Sequence, residues 1–254
     1  MYYIPVLTEV HRRLSPRAYL EVGVRDGRSL SLARCRTVAI DPAFAITHEI
    51  HTDLALFRTT SDEYFARPDP LAPTGGTPFD LSFVDGLHLF EYAFRDFVNA
   101  ERCSSPRGVV VFDDILPRSV DEAARQRHTT SWTGDVYTML AVLERYRPDL
   151  VVIPVGTRPT GLLLVVGLDP DNTVLIDRYD DIMAEFRRPD PQPVPPEVLD
   201  RLTVMPPQRL LDSGLLDLLG STAPETTVTD LREPLRALVA AELGSGFVAE
   251  PALD

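Results

Sequence analysis

Tyr19-Leu20-Glu21-Val22-Gly23-Val24-Arg25-Asp26-Gly27-Arg28-Ser29 is the stretch whose reading decides the fold. Its apolar start predicts a buried strand over 18–23, ending in a glycine turn that opens a helix over 27–35. Gly23 permits positive φ and lets a ligand approach the backbone with no Cβ in the way. Gly27 stands where the helix would begin, and Ser29 can satisfy a free N–H of its first turn. Glu21 is an acid inside the apolar run. Ligands of open α/β sheets bind at the carboxyl ends of strands, so a strand–glycine–helix unit is a common cofactor cradle. An ordinary βα turn with a glycine cap would use the same residues. A dinucleotide loop needs three glycines, and here only Gly23 and Gly27 flank bulky Val24 and Arg25. A phosphate loop needs a Gly-Lys-Ser/Thr ending, which is absent.

Working outward, Val6, Leu7, Val10 and Leu14 share a face at helical spacing, predicting a helix over 4–14 that covers the sheet. Residues 37–42 predict a second strand stopped by Pro42. Asp41 lies 20 residues after Glu21, where an acid can bind ribose hydroxyls; a turn Asp before Pro is the bland alternative. A third strand is predicted over 53–60, with Ser61 as N-cap of a helix whose first turn holds Asp62 and Glu63. Residues 79–85 predict a fourth strand and 109–114 a fifth, both apolar as central parallel strands should be. Between them, Gly86-Leu87-His88 turns into a helix that buries Phe90, Ala93, Phe94, Phe97 and Val98. Glu91, Arg95, Asp96 and Glu101 are expected on its water-facing side, and Pro106–Gly108 in a turn. An exposed helix is expected over 120–127, then a polar loop (128–134) carrying the only Trp, then a helix from Asp135. Residues 150–155 and 162–166 predict an antiparallel hairpin.

The chain has 254 residues, 44% hydrophobic content and a net charge of −13. That is enough apolar material for a sizeable core. The negative charge argues against nucleic acid or an anionic membrane as partner. All 25 basic side chains are Arg, so no Lys is present to act as base or Schiff-base former. Cys35 and Cys103 match no metal or redox spacing. With no signal-like segment and no apolar run near 18 residues, a soluble cytoplasmic protein is expected.

Asp85 ends the fourth strand, and Asp113-Asp114 end the fifth. If these strands are neighbours, about 4.8 Å apart, three carboxylates converge beside the glycine turn. Like charges this close raise one pKa or recruit a cation, and an all-oxygen cluster favours Mg²⁺. Each acid also has a bland role as a turn or cap residue. His88, at the mouth of the site, and His128, on the loop after the fifth strand, are the candidate bases for a hydroxyl proton.

The pattern Glu21-x-Gly23-x-x-x-Gly27 resembles the first motif of class I S-adenosylmethionine (SAM)-dependent methyltransferases. Phe83-Val84-Asp85-Gly86-Leu87-His88, followed by Val110-Val111-Phe112-Asp113-Asp114-Ile115, resembles the family typified by macrolide-sugar O-methyltransferases, and catechol-type enzymes more remotely. The resemblance covers about 17–168. It implies an α/β fold, a Rossmann-like doubly wound seven-stranded sheet ordered 3-2-1-4-5-7-6, with the last strand antiparallel. It also implies a cofactor site formed by Glu21, Gly23, Val24, Arg25, Gly27, Ser29, Asp41, Asp85, Gly86 and His88, with Ser61 and Asp62 beside the adenine. Asp85, Asp113 and Asp114 would be the magnesium set, Asp113 would share in catalysis, and Trp132-Thr133-Gly134-Asp135 would lie over the site.

These readings divide the chain into a SAM-binding domain (1–182) and a helical extension (183–254) beyond a Pro-rich spacer at 189–196. Helices are expected near 196–203, 206–219 and 229–243. Their leucines can pack on the first domain, on a second subunit in a homo-oligomer, or over the site as a lid. The expected activity is SAM-dependent O-methylation of a small hydroxylated metabolite, such as a sugar or natural product, with Mg²⁺ assistance if the cation is recruited. The rivals are an NAD-dependent oxidoreductase and a SAM-binding protein without activity.

Overall fold

A computed structural model describes residues 1–248. Helix α1 (Tyr3–Leu14) leads into β1 (Ala18–Val22), β2 (Arg36–Ile40) and β3 (Leu54–Phe57). Then come α2 (Ser61–Phe65), β4 (Phe79–Val84), α3 (Phe90–Arg102) and β5 (Ser104–Phe112). Helix α4 (Thr138–Tyr146) precedes the hairpin of β6 (Val151–Val155) and β7 (Leu162–Val166). Helices α5 (Val174–Asp177), α6 (Tyr179–Phe186), α7 (Pro196–Leu199), α8 (Pro207–Asp212), α9 (Leu215–Ser221) and α10 (Val228–Glu242) complete the chain.

The seven strands form one sheet in the order β3-β2-β1-β4-β5-β7-β6. β1 to β5 pair in parallel, and β7 runs antiparallel to both β5 and β6. Strand side chains alternate between two cores, as period 2 requires. Leu20, Val22, Val38, Ile40, Val84, Val110 and Phe112 face one layer, packed with Phe90, Phe94, Phe97, Met139 and Leu143 from α3 and α4. Tyr19, Ala39, Leu81, Phe83, Val109 and Val111 face the other, packed with Val6, Leu7, Val10 and Leu14 of α1 and with Leu210, Leu215, Leu219 and Leu235 of the C-terminal helices. Both faces are covered, which is why the central strands read as near-continuous apolar runs.

Several expectations need correction. The helix over 27–35 is a single 3-10 turn at Leu30–Leu32. The loop spends its residues on positive φ at Gly23, Arg25 and Gly27, and β2 starts at Arg36, leaving room for one turn. Ser29 caps no helix; its hydroxyl donates to Glu21 at 2.8 Å. Thr60, not Ser61, is the N-cap of α2, in a capping box with Glu63. Pro106–Gly108 is no turn, because β5 runs through it with a register shift against β4. Residues 120–127 form turns rather than an exposed helix, and Glu122, Ala123 and Ala124 are buried. The helix expected from Asp135 starts at Thr138.

The polar face assigned to α3 is also largely buried. Glu91 bonds Arg125 and Arg187, and Glu101 bonds Arg147. A buried acid of this kind persists because it is paired.

The C-terminal helices lie against α1 and the sheet. Arg13 donates to Ser213 O at 2.8 Å and to Asp217 Oδ1 at 2.7 Å, and Arg107 donates to Gly220 O at 2.8 Å. Met205 extends the sheet beyond β6, donating to Pro154 O at 2.7 Å and accepting from Gly156 at 2.9 Å. That contact shields an edge strand. A division between 182 and 183 falls inside α6, whose Ile182 belongs to the same core as α3. The end of the extension, 249–254, lies outside the described residues. Among the described residues, no helix is long and apolar enough to cross a membrane.

Candidate active site

Parallel register aligns the strand ends. Val22 pairs with Ile40 on one side and Val84 on the other, and Val84 pairs with Phe112. One residue further along each strand, Asp41, Gly23, Asp85 and Asp113 therefore stand in a row. Backbone bonds hold it: Gly23 N–H to Ile40 O at 2.9 Å, Asp85 N–H to Val22 O at 2.8 Å, and Asp113 N–H to Val84 O at 3.1 Å. Only Gly23 lacks a side chain, so the row has a gap between Asp41 and the two other acids.

Gly23 has φ of +88°, and a Cβ there would overlap the backbone of Asp85. The glycine is therefore required where β1 and β4 end against each other, rather than only where a ligand comes near. Asp41 fixes the loop from the other side. Its Oδ2 accepts from the N–H groups of Val24 and Arg25, both at 2.8 Å, and its Oδ1 accepts from Ala43 at 2.6 Å.

Over this row opens a cleft of about 650 Å³, of a size suited to a small-molecule ligand. On the β2–β3 side it is lined by Ile40, Asp41, Pro42, Thr60 and Ser61, with Tyr92 and Asp96 from α3. On the β5–β7 side it is lined by Asp113, Asp114, Pro159 and Thr160. Gly23, Arg25, Asp85, Gly86 and His88 lie between, with Tyr3 of α1 and the 130–132 loop.

His88 is the hub of the acidic end. Its Nε2 lies 3.1 Å from Asp85 Oδ1, and its Nδ1 lies 2.9 Å from Trp132 O and 3.1 Å from Asp114 Oδ2. Burial works to lower its pKa, but the neighbouring Asp85 and Asp114 carboxylates outweigh it and raise the value to about 9. The two carboxylates thus favour the charged form of the imidazole. Burial pushes Asp114 up to about 6, against the pull of His88. Burial, then Asp85 and Asp114, raise Asp113 well above the usual carboxylate range. Asp114 holds a left-handed backbone at φ +59°, a local strain of the kind found at functional sites. The Trp132 ring stacks on His88 at 5.2 Å and 22°. A Cβ on Gly134 would overlap the His88 carbonyl, so the loop presses directly on the histidine.

The site gathers Gly23, Arg25, Asp41, Ser61, Asp85, Gly86, His88, Asp113 and Asp114 around one cleft. Other expected residues lie elsewhere. Glu21 is fully buried beneath the loop, its carboxylate 2.5 Å from the Tyr19 hydroxyl. Val24, Gly27 and Ser29 shape the loop but do not line the cleft. Asp62 is engaged by Arg95, at 2.8 and 2.7 Å. His128 is exposed, with its Nδ1 2.8 Å from Gln126 O, and does not reach the cleft. Of the 132–135 segment, Trp132 lines the cleft, whereas Asp135 is buried, accepting from Phe90 N–H and Arg125.

The three-carboxylate set is not the one whose ligand atoms converge. Among the described residues, Asp85, His88 and Asp114 bring one donor atom each within 4.8 Å of one another, so His88 stands where Asp113 was expected. Sequence reading missed Tyr3, Tyr92, Asp96, Pro159 and Thr160. They come from elements whose relation to the strand ends is set only by packing.

The sheet order and the acid-rimmed cleft at its carboxyl edge are those of the class I SAM-dependent methyltransferase fold. Residues 20–115 match the family model described as "Methyltransferase domain". No curated protein matches the chain in sequence. Solved structures with a similar course include a putative O-methyltransferase from Klebsiella pneumoniae, at 17% identity and TM-score 0.48, covering 65% of this chain and 79% of that one. An O-methyltransferase from Bacillus cereus in complex with SAH is similar at 15% identity and TM-score 0.46, covering 65% and 80%. The O-methyltransferase TomG from Streptomyces achromogenes, involved in tomaymycin synthesis and in complex with SAM, is similar at 23% identity and TM-score 0.45, covering 65% and 78%. Likeness at this level bears on neither substrate nor mechanism.

Proposed function

We propose that this protein is an O-methyltransferase that holds SAM in the cleft and methylates a hydroxyl of a small hydroxylated metabolite, a sugar or a related natural product. The observation that carries the reading is the aligned row Asp41–Gly23–Asp85–Asp113, with polar groups at both ends of one cleft. When bound, SAM supplies an electrophilic methyl group on its sulfonium. Asp41 and Ser61 stand at the nucleoside end, where a ribose and a base need hydrogen-bond partners. At the other end, Trp132, stacked on His88 and with Arg127 over its ring, borders the space an acceptor would fill. Asp113 lines the cleft, is not tied to His88, and is placed to take the hydroxyl proton. Much of the rate would come from alignment, because methyl transfer is an in-line displacement.

Asp85, His88 and Asp114 would hold a divalent ion, which there would polarise the acceptor hydroxyls. The structure also favours a second reading of this end. Both His88 nitrogens face acceptors, so the charged ring itself balances Asp85 and Asp114 without an ion.

The test is transfer of labelled methyl from SAM to a panel of sugars and polyols, with and without chelator. Transfer abolished by chelator and restored by Mg²⁺ supports the metal reading; transfer that survives chelator supports the imidazolium reading. Binding of NAD but not SAM would overturn the proposal in favour of an oxidoreductase. SAM binding with no transfer to any acceptor would leave a non-catalytic binding protein.

A further inference from the structure

A second cavity, of about 480 Å³, lies between the C-terminal end of α1 and the 32–35 segment that leads into β2. It shares no lining residue with the cleft over the strand ends. His11 lines it and is only 9% exposed. Its ring packs edge-on against Tyr19, with centroids 4.7 Å apart at 74°, and neither ring nitrogen has a hydrogen-bond partner among the described residues. Burial, then the Arg34 charge, lower its pKa to about 4 and favour the neutral ring, which keeps one N–H donor and one acceptor. A buried polar group without partners is costly, so a native protein retains one where a ligand or solvent completes it. The surrounding charge narrows the choice. No acidic side chain lines the cavity, although acids outnumber basic residues 38 to 25 in the chain. Arg12, at the rim, is spent on both carboxylate oxygens of Glu9. Arg34 has no acid partner among the described residues; its Nη1 donates to Ser31 O at 2.7 Å and Ala33 O at 2.6 Å, which leaves Nε and Nη2 unengaged. Leu32 and Pro16 add an apolar wall.

We propose that this cavity binds a small organic carboxylate, whose oxygens accept from Arg34 and from the His11 N–H while its apolar body lies against Leu32 and Pro16. Adjacent guanidinium N–H groups match a carboxylate in geometry as well as in charge. A cation would meet Arg34 and find no acid to hold it. An uncharged ligand of the same shape would keep the apolar contact and lose the charge-assisted bonds. The site is independent of whatever the cleft over the strand ends binds.

The test is NMR of the full chain labelled on its histidine rings, titrated with sodium benzoate and, separately, with benzamide, its uncharged counterpart. The His11 signal is the one missing from His11→Gln; should that variant not fold, the contact of the ring with Tyr19 identifies it. Benzoate should shift the His11 signal with a Kd of about 1 mM or tighter and leave the signal of His88, which lies in the other cleft, unmoved. Benzamide should bind at least about tenfold more weakly, the worth of a hydrogen bond to a charged group. Arg34→Gln alters an exposed side chain and should weaken benzoate at least about tenfold, with benzamide changed by less than about threefold. An unmoved His11 signal at about 20 mM benzoate overturns the proposal. So does equal binding of benzamide, a shift of His88 in place of His11, or undiminished benzoate binding in Arg34→Gln.

Discussion

Glu21→Gln is the substitution that separates the structure's account of the glycine loop from the simplest reading of its motif. Glu21 is fully buried, held by the Tyr19 hydroxyl at 2.5 Å and the Ser29 hydroxyl at 2.8 Å. Burial, opposed by those two bonds, raises its pKa from 4.5 to about 8. The folded state therefore binds a proton that the unfolded chain releases near pH 4.5. Between pH 4.5 and 8 the folded state holds more protons, so stability from this group is complete below that window and is lost as pH rises through it. At 1.36 kcal/mol per pH unit the gap amounts to about 5 kcal/mol. This is an upper figure, because water entering a loosened loop would relieve part of it. Gln keeps the shape and both hydrogen-bond positions but does not titrate. Urea midpoints followed by circular dichroism at pH 5, 7 and 9 should show the wild type losing several kcal/mol relative to Glu21→Gln. Asp96 and Asp113 titrate in the same direction but are common to both proteins and drop out of the difference. Parallel pH profiles for the two proteins would mean that Glu21 is ionised and hydrated in the folded state, and the argument would be refuted.

Other expectations concern different links of the chain. Gly23→Ala forces a side chain into a left-handed backbone and onto Asp85; it should cost about 1–3 kcal/mol in urea unfolding and weaken S-adenosylhomocysteine binding more than tenfold. Asp80 is buried, and Arg17, Arg107 and Ser105 outweigh burial to hold its pKa well below the usual range. Its stabilisation is present above about pH 4 and is lost as pH falls below that. Asp80→Asn should cost about 3–5 kcal/mol at pH 7 and flatten the acid limb of the stability profile. Asp114→Asn removes one of three converging donors; if a divalent ion binds there, its affinity measured by calorimetry should drop at least about tenfold.

Much of the architecture was legible because it depends on local signals. The apolar runs at 79–84 and 109–112 read as central strands, and the hairpin over 150–166 announced itself by its glycine-bounded turn. The sheet order came from the motif resemblance rather than from any of these runs. Parallel register then explains how Asp41, Asp85 and Asp113, far apart in sequence, come to share one edge. What could not be read were pairings made over long separations. An amphipathic pattern puts Glu91, Asp96 and Glu101 on the wet side of α3, yet Arg125, Arg147 and Arg187 arrive from later elements to bury two of them. Asp96 is left with no such partner. The helices expected over 27–35 and 120–127 are lost to geometry: the first segment must turn directly into β2, and the second folds Glu122 inward to accept from Arg118 and from Thr133 and Gly134. His88 was singled out as a base by position. Only the structure shows it clamped between Asp85 and Asp114.

The most direct measurement is a crystal structure of this protein grown with S-adenosylhomocysteine. The nucleoside should lie across Gly23, with its ribose at Asp41, its base between Ser61 and Gly86, and its sulfur pointing toward Asp85 and Asp113. A ligand seated elsewhere, or a cleft that stays closed at saturating concentration, would contradict the account.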